Sequence, residues 1–281
     1  MKVGVIGPSL PEPIQLRNNP FVFILRLILF ICLLSLLSCK DNSSPPLIMK
    51  ANEEWIKGRN YSAIEMFKSV LNEETTGPVA EEALFRLGEI HHFSLGDSAQ
   101  AIVYFKELQE LNPKSVFAHE SQRAIAEIME YHFKDYDQAI IENQNLINQS
   151  QNPKQKANQQ FRIAMIYYKM QNLEQSLAEH EDLIEEYPDS EVANESDFKI
   201  LEILYGLGRC GEVENRYNRI LKKNPDSKFT SEMEFVLASC LEEKGELETA
   251  YEKFKALEGR YPYPSLLQIK LEGVKKRIKK K

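Results

Sequence analysis

Histidine and cysteine are the residue types in this chain with the greatest potential for metal or nucleophilic chemistry. The 281 residues include five His and four Cys. His91 and His92, with Glu89 and Asp97 nearby, form the densest group of candidate metal ligands. Adjacent residues on a helix point in different directions, whereas a metal site needs ligands at i, i+3 or i+4 on one face. We therefore predict no metal site. The other histidines are isolated and are predicted to be solvated or buried: His119, His132 and His180.

Known catalytic motifs are missing from the sequence. It contains no Gly-rich phosphate loop, HExxH, GxSxG or CxxC. The Asp and Glu residues have scattered helical spacings, which is typical of solvated helix faces. We therefore expect a protein that is not an enzyme and has no cofactor.

The composition excludes several other classes. A chain with 43% hydrophobic and 27% charged residues is too apolar to be disordered and too polar to be a polytopic membrane protein. The formal net charge is −7 and the pI is about 5.5. Because nucleic-acid-binding proteins normally have a basic face, we expect no nucleic-acid partner.

An apolar segment close to the N-terminus ends at a cysteine. The uninterrupted apolar stretch after Arg26 has the length of a signal-peptide core and is short for a bilayer span. Its ending, Leu36-Leu37-Ser38-Cys39, resembles the bacterial lipobox, in which the cysteine is diacylated on sulfur and becomes the new N-terminus. The alternative is an uncleaved membrane anchor that leaves Cys39 as an idle thiol.

The lipobox resemblance implies three features. We interpret residues 1–38 as a lipoprotein signal peptide, Cys39 as the lipidation site, and residues 39–46 as a lipidated flexible tether. The expected location is a bacterial cell membrane, with the lipid anchor on the periplasmic face of the outer membrane. The sequence leaves the choice between inner and outer membrane open.

The rest of the chain is one repeated pattern. A small residue is followed four positions later by a larger one and seven positions later by an aliphatic one, and the leading residues are 38, 38, 37, 37 and 37 positions apart. The six sets are Ala63, Phe67, Val70; Ala101, Phe105, Leu108; Ala139, Asn143, Leu146; Ser176, His180, Leu183; Val213, Tyr217, Ile220; and Ala250, Phe254, Leu257.

Helix breakers recur with the same period. Prolines separate the units, and each proline disfavours the helical conformation in the residue before it. A second break falls near the middle of each unit, where Gly or Asn suits a helix C-terminus that needs a left-handed residue. These breaks are Gly58-Arg59-Asn60, Gly96-Asp97, Lys134-Asp135, Gln171-Asn172, Gly208-Arg209 and Gly245-Glu246. Each unit is therefore predicted to be two antiparallel helices.

This pattern resembles the tetratricopeptide repeat (TPR), most clearly in residues 161–188 and 235–262. The resemblance implies an all-α, right-handed TPR-type solenoid of about six antiparallel helix pairs plus a C-terminal capping helix. The repeats are expected at 47–77, 78–113, 114–152, 153–188, 189–225 and 226–262, within a solenoid of residues 47–262. Residues 263–281 are expected to form the capping helix with its basic tail.

The long repeat period and the linkers resemble those of periplasmic TPR lipoproteins, especially the BamD (YfiO) class. This resemblance implies a membrane-anchored scaffold that binds protein partners, either envelope assembly components or unfolded and extended peptides, in outer-membrane protein assembly. The alternative is an accessory scaffold of the cell envelope or of division, linked to Tol-Pal or peptidoglycan. Six units exceed the five of BamD, and the coiled coil of the Tol-Pal accessory protein is missing.

Two rows of residues are candidates for a partner-binding groove. They lie seven positions apart on the first helix of successive units, and in the TPR family that face looks toward the concave surface. The alternative for the Phe row is packing between adjacent first helices. The groove candidates are Phe85, His92, Tyr131, Phe161, Tyr168, Phe198, Tyr205 and Phe235.

Two features outside the groove have open interpretations. Cys210 and Cys240 lie about one repeat apart, and we favour two free, partly buried thiols over a disulfide. The C-terminal stripe of Leu267, Leu271, Val274 and Ile278 suits a cap on the last repeat. The basic residues 275–281 could contact anionic lipid or an acidic partner, or could form a solubilising helix end.

Overall fold

The computed structural model describes residues 44–280, which are almost entirely helical. The chain divides into two units, Met1–Pro46 and Leu47–Lys281, and the helical array belongs to the second. The predicted signal peptide and Cys39 lie outside the described residues. No helix within the described part of the chain is long and apolar enough to cross a membrane.

Helices follow one another along the array with short connections. They are α1 Ser44–Ile56, α2 Asn60–Glu73, α3 Pro78–Glu89, α4 Ser98–Leu111, α5 Val116–Ile128, α6 Tyr136–Gln149, α7 Pro153–Lys169, α8 Leu173–Glu186, α9 Glu191–Gly206, α10 Cys210–Lys223, α11 Thr230–Lys244, α12 Leu247–Ala256 and α13 Pro264–Ile278. Odd-numbered helices from α1 to α11 are the first helices of six pairs, and α13 packs on the last pair. The predicted all-α solenoid of helix pairs with a capping helix is confirmed.

Helix α1 begins earlier than the sequence suggests. It starts at Ser44, inside the segment 39–46 that we assign to the tether. Pro45 and Pro46 do not prevent this, because the first turn of a helix has no intrahelical partners for its N–H groups.

The repeated small, large and aliphatic residues form the core. Every member of the six sets is buried, with exposed fractions between 0 and 7%. The small residue lets the second helix approach the first closely, and the other two fill the space on the same face. The larger residue is aromatic in four units, but in the third and fourth it is a buried polar side chain: Asn143 and His180. Periodicity therefore predicted the part of the core that the second helices contribute at these three repeated positions.

All six breaks inside the units contain a residue with positive φ. Four are glycines, and the other two are Lys134 (φ 55°) and Gln171 (φ 60°). The asparagine of the fourth break has a different role: Asn172 caps α8 by accepting a hydrogen bond from the backbone N–H of Gln175. The predicted left-handed helix ends are present, although a lysine and a glutamine adopt them in the third and fourth units.

Two first helices end in a π-helical turn. The turns follow α3 at Ile90–Ser94 and α5 at Met129–Phe133. The backbone N–H of Asp135 bonds the carbonyl of Met129, six residues earlier, whereas Asn172 bonds Tyr167, five residues earlier. Each π turn thus accommodates one additional residue. The two repeat intervals of 38 residues contain these turns, and the intervals of 37 do not.

A disulfide joins the last two repeats, which corrects the favoured interpretation of two free thiols. Cys210 at the start of α10 is bonded to Cys240 on α11, with 5.3 Å between their Cα atoms. The sequence spacing did not show that stacking of neighbouring units brings the start of one second helix beside the next first helix.

The capping helix uses the predicted apolar stripe. Leu267, Leu271 and Val274 are buried against the sixth unit, and Ile278 is partly buried there. The tail is not wholly free, since Arg277 donates a hydrogen bond to Glu242 on α11 at 2.8 Å. Lys270 pairs with the same carboxylate at 2.7 Å. Two cations thus fasten the cap to the last first helix.

Candidate functional site

A cavity of about 500 Å³ opens on the first helices of the last three units. Its lining residues come from α7, α9, α11 and α13 and from the segments that lead into α11 and α13. None of the lining residues belongs to a second helix. Seven aromatic side chains line it: Tyr168, Phe198, Tyr205, Phe229, Phe235, Tyr261 and Tyr263.

Ring stacking builds the walls of the cavity. Phe198 on α9 stacks on Phe229, with ring centroids 5.5 Å apart and planes within 13°. Phe235 on α11 stacks on Tyr261 at 4.4 Å and 9°. In both pairs, a first-helix ring meets a ring from a segment between helices. Because each ring is held by a partner, the cavity has preformed apolar surfaces.

Carboxylates predominate among the charged groups of the lining. Glu195, Glu202 and Glu232 are accompanied by one cation, Lys199. Lys199 donates to Glu202 at 2.8 Å, and its ammonium lies 5.1 Å from the centre of the Phe198 ring. The cavity therefore carries an excess of negative charge.

Two tyrosine hydroxyls respond to this environment. Burial and the nearby carboxylates of Glu232 and Glu202 raise the pKa of Tyr261 to about 12. Burial, together with a hydrogen bond to Glu243, raises the pKa of Tyr205 to about 12. Both hydroxyls remain protonated at neutral pH, and the Tyr205 hydroxyl donates its hydrogen bond to Glu243.

The eight predicted groove residues fall into two groups. Four line the cavity: Tyr168, Phe198, Tyr205 and Phe235. The other four lie elsewhere. Phe85 packs between Phe105 and Phe117, with centroid distances of 5.8 and 5.3 Å. Phe161 meets the buried His180 edge to face at 5.4 Å. His92 and Tyr131 lie in the two π turns.

Tyr131 is exposed to solvent but is in contact with cations of the next unit. The Lys169 ammonium lies 4.4 Å from the centre of its ring, and the Arg162 guanidinium lies at 5.8 Å. Both cations also pair with Glu130, whose side chain is only 3% exposed. The hydrogen bond and charge of Glu130 oppose the effect of burial and raise the pKa of Lys169. A ring and a carboxylate thus hold a cation here.

His92, in the first π turn, has a neighbour that sequence spacing did not reveal. His92 and His132 come from different units, yet their ring centroids are 4.6 Å apart. The Nδ1 atom of His92 lies 3.0 Å from the hydroxyl of Ser98. Desolvation and the charge of His132 lower the pKa of His92. Residues 46–280 contain no group of three or more His, Cys, Asp and Glu suited to a metal ion.

Three aromatic lining residues were missed by the sequence analysis: Phe229, Tyr261 and Tyr263. They lie between helices, so helix periodicity cannot detect them. An available signal was the Tyr-Pro-Tyr sequence at 261–263, because proline fixes the backbone and presents the flanking rings in defined directions.

The sequence matches the tetratricopeptide repeat family at residues 82–115 and 160–190. The second match lies in the unit at 153–188, where the motif is clear, whereas the first begins in the second unit and the predicted 235–262 stretch is not matched. No protein with a curated description matches this sequence.

Solved structures with similar folds are distant in sequence. The structure of Naa15/Naa10 bound to HypK-THB has 17% identity and a TM-score of 0.56, covering 85% of this chain and 35% of that chain. The apo form of RapI has 12% identity and a TM-score of 0.51, covering 83% and 75%. A tetratricopeptide repeat protein from Parabacteroides merdae ATCC 43184 has 17% identity and a TM-score of 0.48, covering 83% and 98%. Two stretches of the chain therefore match the tetratricopeptide repeat, and the part of the chain that the structure describes is an all-helical solenoid.

Proposed function

We propose that this protein is a scaffold that binds an extended segment of a partner protein in the cavity on its first helices. The observation that carries this proposal is the origin of the lining: only first helices and the segments leading into them contribute. Preformed rings, five of them half-buried, provide contact area at low entropic cost, and the tyrosines among them add polar edges.

Site-specific photocrosslinking in cells tests the proposal. A photoreactive phenylalanine analogue replaces Tyr205 in the cavity or, as a control, Tyr61, which is 76% exposed on α2. We expect one defined partner adduct from position 205 and none from position 61. Equal adducts from both positions, or adducts only from position 61, would refute the cavity as the binding surface.

Aromatic truncation gives the second test. Replacing Tyr168 and Tyr205, which both line the cavity, together by alanine should weaken binding of the crosslinked partner at least about tenfold, because aromatic side chains in a pocket dominate interface energies. Unchanged affinity would remove the aromatic row from the account.

The proposed setting is the bacterial envelope, with attachment to the membrane through Cys39. The support is the lipobox-like sequence at 36–39 and the resemblance of the repeats to the BamD class. Palmitate labelling should be lost in Cys39→Ala, and persistent labelling would exclude this anchor. Partner identity separates the two envelope roles: β-barrel assembly components favour the BamD-like role, and Tol or Pal components favour the accessory role.

A further inference from the structure

We propose that the cavity selects a segment that presents a lysine or arginine side chain between apolar neighbours. The inference rests on the proposed function, since it names the chemistry of the segment that the cavity binds. We compare equivalent positions along the aromatic row, by which we mean the groove candidates on successive first helices.

The third unit contains an aromatic and carboxylate site that already holds a cation. The ring of Tyr131 and the carboxylate of Glu130 together hold the ammonium of Lys169, which reaches across from the fourth unit. Arg162 completes the arrangement by pairing with Glu130 at 3.1 Å. Here the chain supplies its own cation to an aromatic and carboxylate site.

The side chain at one repeated position determines whether the chain supplies its own cation to such a site. Lys169, Gly206 and Glu243 are separated by the repeat period of 37. Each directly follows the residue that is equivalent to Tyr131 in its unit; these residues are Tyr168, Tyr205 and Glu242. Lys169 covers Tyr131 of the preceding unit. Gly206, at the equivalent place beyond Tyr168, has no side chain, and both residues line the cavity. The absence of a side chain at Gly206 leaves space where the fourth unit has a cation.

Glu243 is the third residue of this series, so the side chain at this position changes from a cation to none and then to a carboxylate. It accepts a hydrogen bond from Tyr205, where the earlier unit has a cation over the ring. The residue before it, Glu242, is paired with Lys270 and Arg277 of the capping helix. The chain's own cations thus occupy both ends of the row.

The stretch between these two ends is the cavity, and its charge indicates the occupant. Three carboxylates and a single ammonium line it, next to rings that can receive a cation on their faces. An acidic segment would be repelled, and a wholly apolar one would desolvate the carboxylates of Glu195 and Glu232 without supplying a cation. A cationic side chain flanked by apolar groups satisfies both surfaces.

Binding of three fluorescent decapeptides to the purified full-length protein tests this inference. The probes share alternating phenylalanine and glycine positions and differ in whether the intervening positions hold lysine, glutamine or glutamate. We expect the lysine probe to bind at least about tenfold more tightly than the glutamate probe, with affinity falling as salt is raised. Equal or tighter binding of the glutamine or glutamate probe overturns the inference.

A lysine introduced at the glycine gives the sharpest variant. Gly206→Lys should place a cation of the chain itself in the cavity and weaken the lysine probe about tenfold. Gly206→Met adds similar volume without charge and is expected to have a much smaller effect. Both are helical substitutions at a position where a Cβ atom would be 3.4 Å from Leu173. Equal losses in the two variants would show a steric effect and contradict charge selection.

Carboxylate neutralisation provides a test that adds no volume. Changing the three cavity carboxylates to glutamine should weaken the lysine probe and leave the glutamine probe unchanged; they are Glu195, Glu202 and Glu232. A control triple makes the same change in net charge at exposed positions on α8 and α12: Glu185, Glu248 and Glu252. Equal effects of the two triples would overturn the inference.

Failure of this inference is distinguishable from failure of the proposed function. If no probe binds, or the charge preference is reversed, the inference is wrong. The proposed function survives that result when crosslinks from position 205 persist, and it fails when they are absent.

Discussion

Both the third and the fifth unit combine rings with carboxylates along the aromatic row. The third is a closed stretch, because cations of the chain cover the ring, and the fifth is an open stretch, because it borders the cavity. At Tyr131, cations of the fourth unit lie on the ring and pair with the buried Glu130. At Gly206, no side chain is available to do so, and a cavity is present. In a repeat array, a change of one side chain at a repeated position can thus replace a filled internal contact by an open cavity.

Close packing in the second unit should give the largest contrast between two glycines. A Cβ atom on Gly88 of α3 would lie 2.3 Å from the buried ring of Phe105, whereas one on Gly206 would lie 3.4 Å from Leu173. We expect Gly88→Ala to lower the free energy of unfolding by about 3 kcal/mol, because the ring cannot move freely. Gly206→Ala should be neutral or stabilising by up to about 1 kcal/mol. Denaturant unfolding of both variants measures this, and equal effects would contradict the packing difference.

Neutralising one carboxylate in each stretch should separate a structural ion pair from a rim charge. Glu130→Gln removes the charge that pairs with two cations in a buried setting, and we expect a loss of about 2 to 3 kcal/mol. Glu202 is 32% exposed and pairs only locally with Lys199, so Glu202→Gln should change stability by less than about 0.5 kcal/mol. Thermal unfolding at low salt compares the two. A larger loss at Glu202 would reverse the assignment of closed and open stretches.

His180, which lies between the two stretches, should make stability dependent on pH. Burial, and secondarily the charge of Lys199, lowers the pKa of His180 to about 3. The unfolded chain takes up the proton near pH 6.5 and the folded protein does not, so stability present above pH 6.5 is lost as pH falls. From pH 7 to pH 5 we expect a loss of about 2 kcal/mol.

The control for this prediction is His180→Phe, because phenylalanine occupies the same repeat position at Phe67, Phe105 and Phe254. The variant should lose that part of the pH dependence. If the wild type and the variant have the same slope between pH 7 and pH 5, the pH effect comes from other groups.

The smallest expected effect concerns the helix ends. Lys134 adopts φ 55° after the π turn, and Gly208 adopts φ 71° at the equivalent place near the cavity. Lys134→Gly should stabilise by about 0.5–1 kcal/mol, since glycine accepts this conformation without a Cβ clash. Gly208→Ala should destabilise by about 1 kcal/mol. Opposite signs in calorimetry confirm the strain, and matching signs would exclude it.

Sequence periodicity predicted most of the fold because burial repeats with the helix pair. Every member of the six repeated sets on the second helices is buried, and all six predicted breaks are present. It did not predict the π turns, although the two intervals of 38 residues record them. It also missed the pairing of Cys210 with Cys240, which depends on how one unit stacks on the next.

The candidate site was only partly predictable. Four of the row residues line the cavity, because first-helix spacing places them on one face. Phe85 lies instead in a packed contact with Phe105 and Phe117. Helical spacing alone cannot distinguish a ring that packs from a ring that remains accessible. That outcome depends on side chains of the neighbouring unit, such as Lys169 and Gly206.

Hydrogen–deuterium exchange of the full-length protein, with and without the bound lysine probe, shows directly whether the cavity binds a cationic segment. We expect slower exchange in α9 (Glu191–Gly206) and α11 (Thr230–Lys244), and no change in the π turn Met129–Phe133. Protection of the π turn or of the second helices, without protection of α9 and α11, would contradict the account.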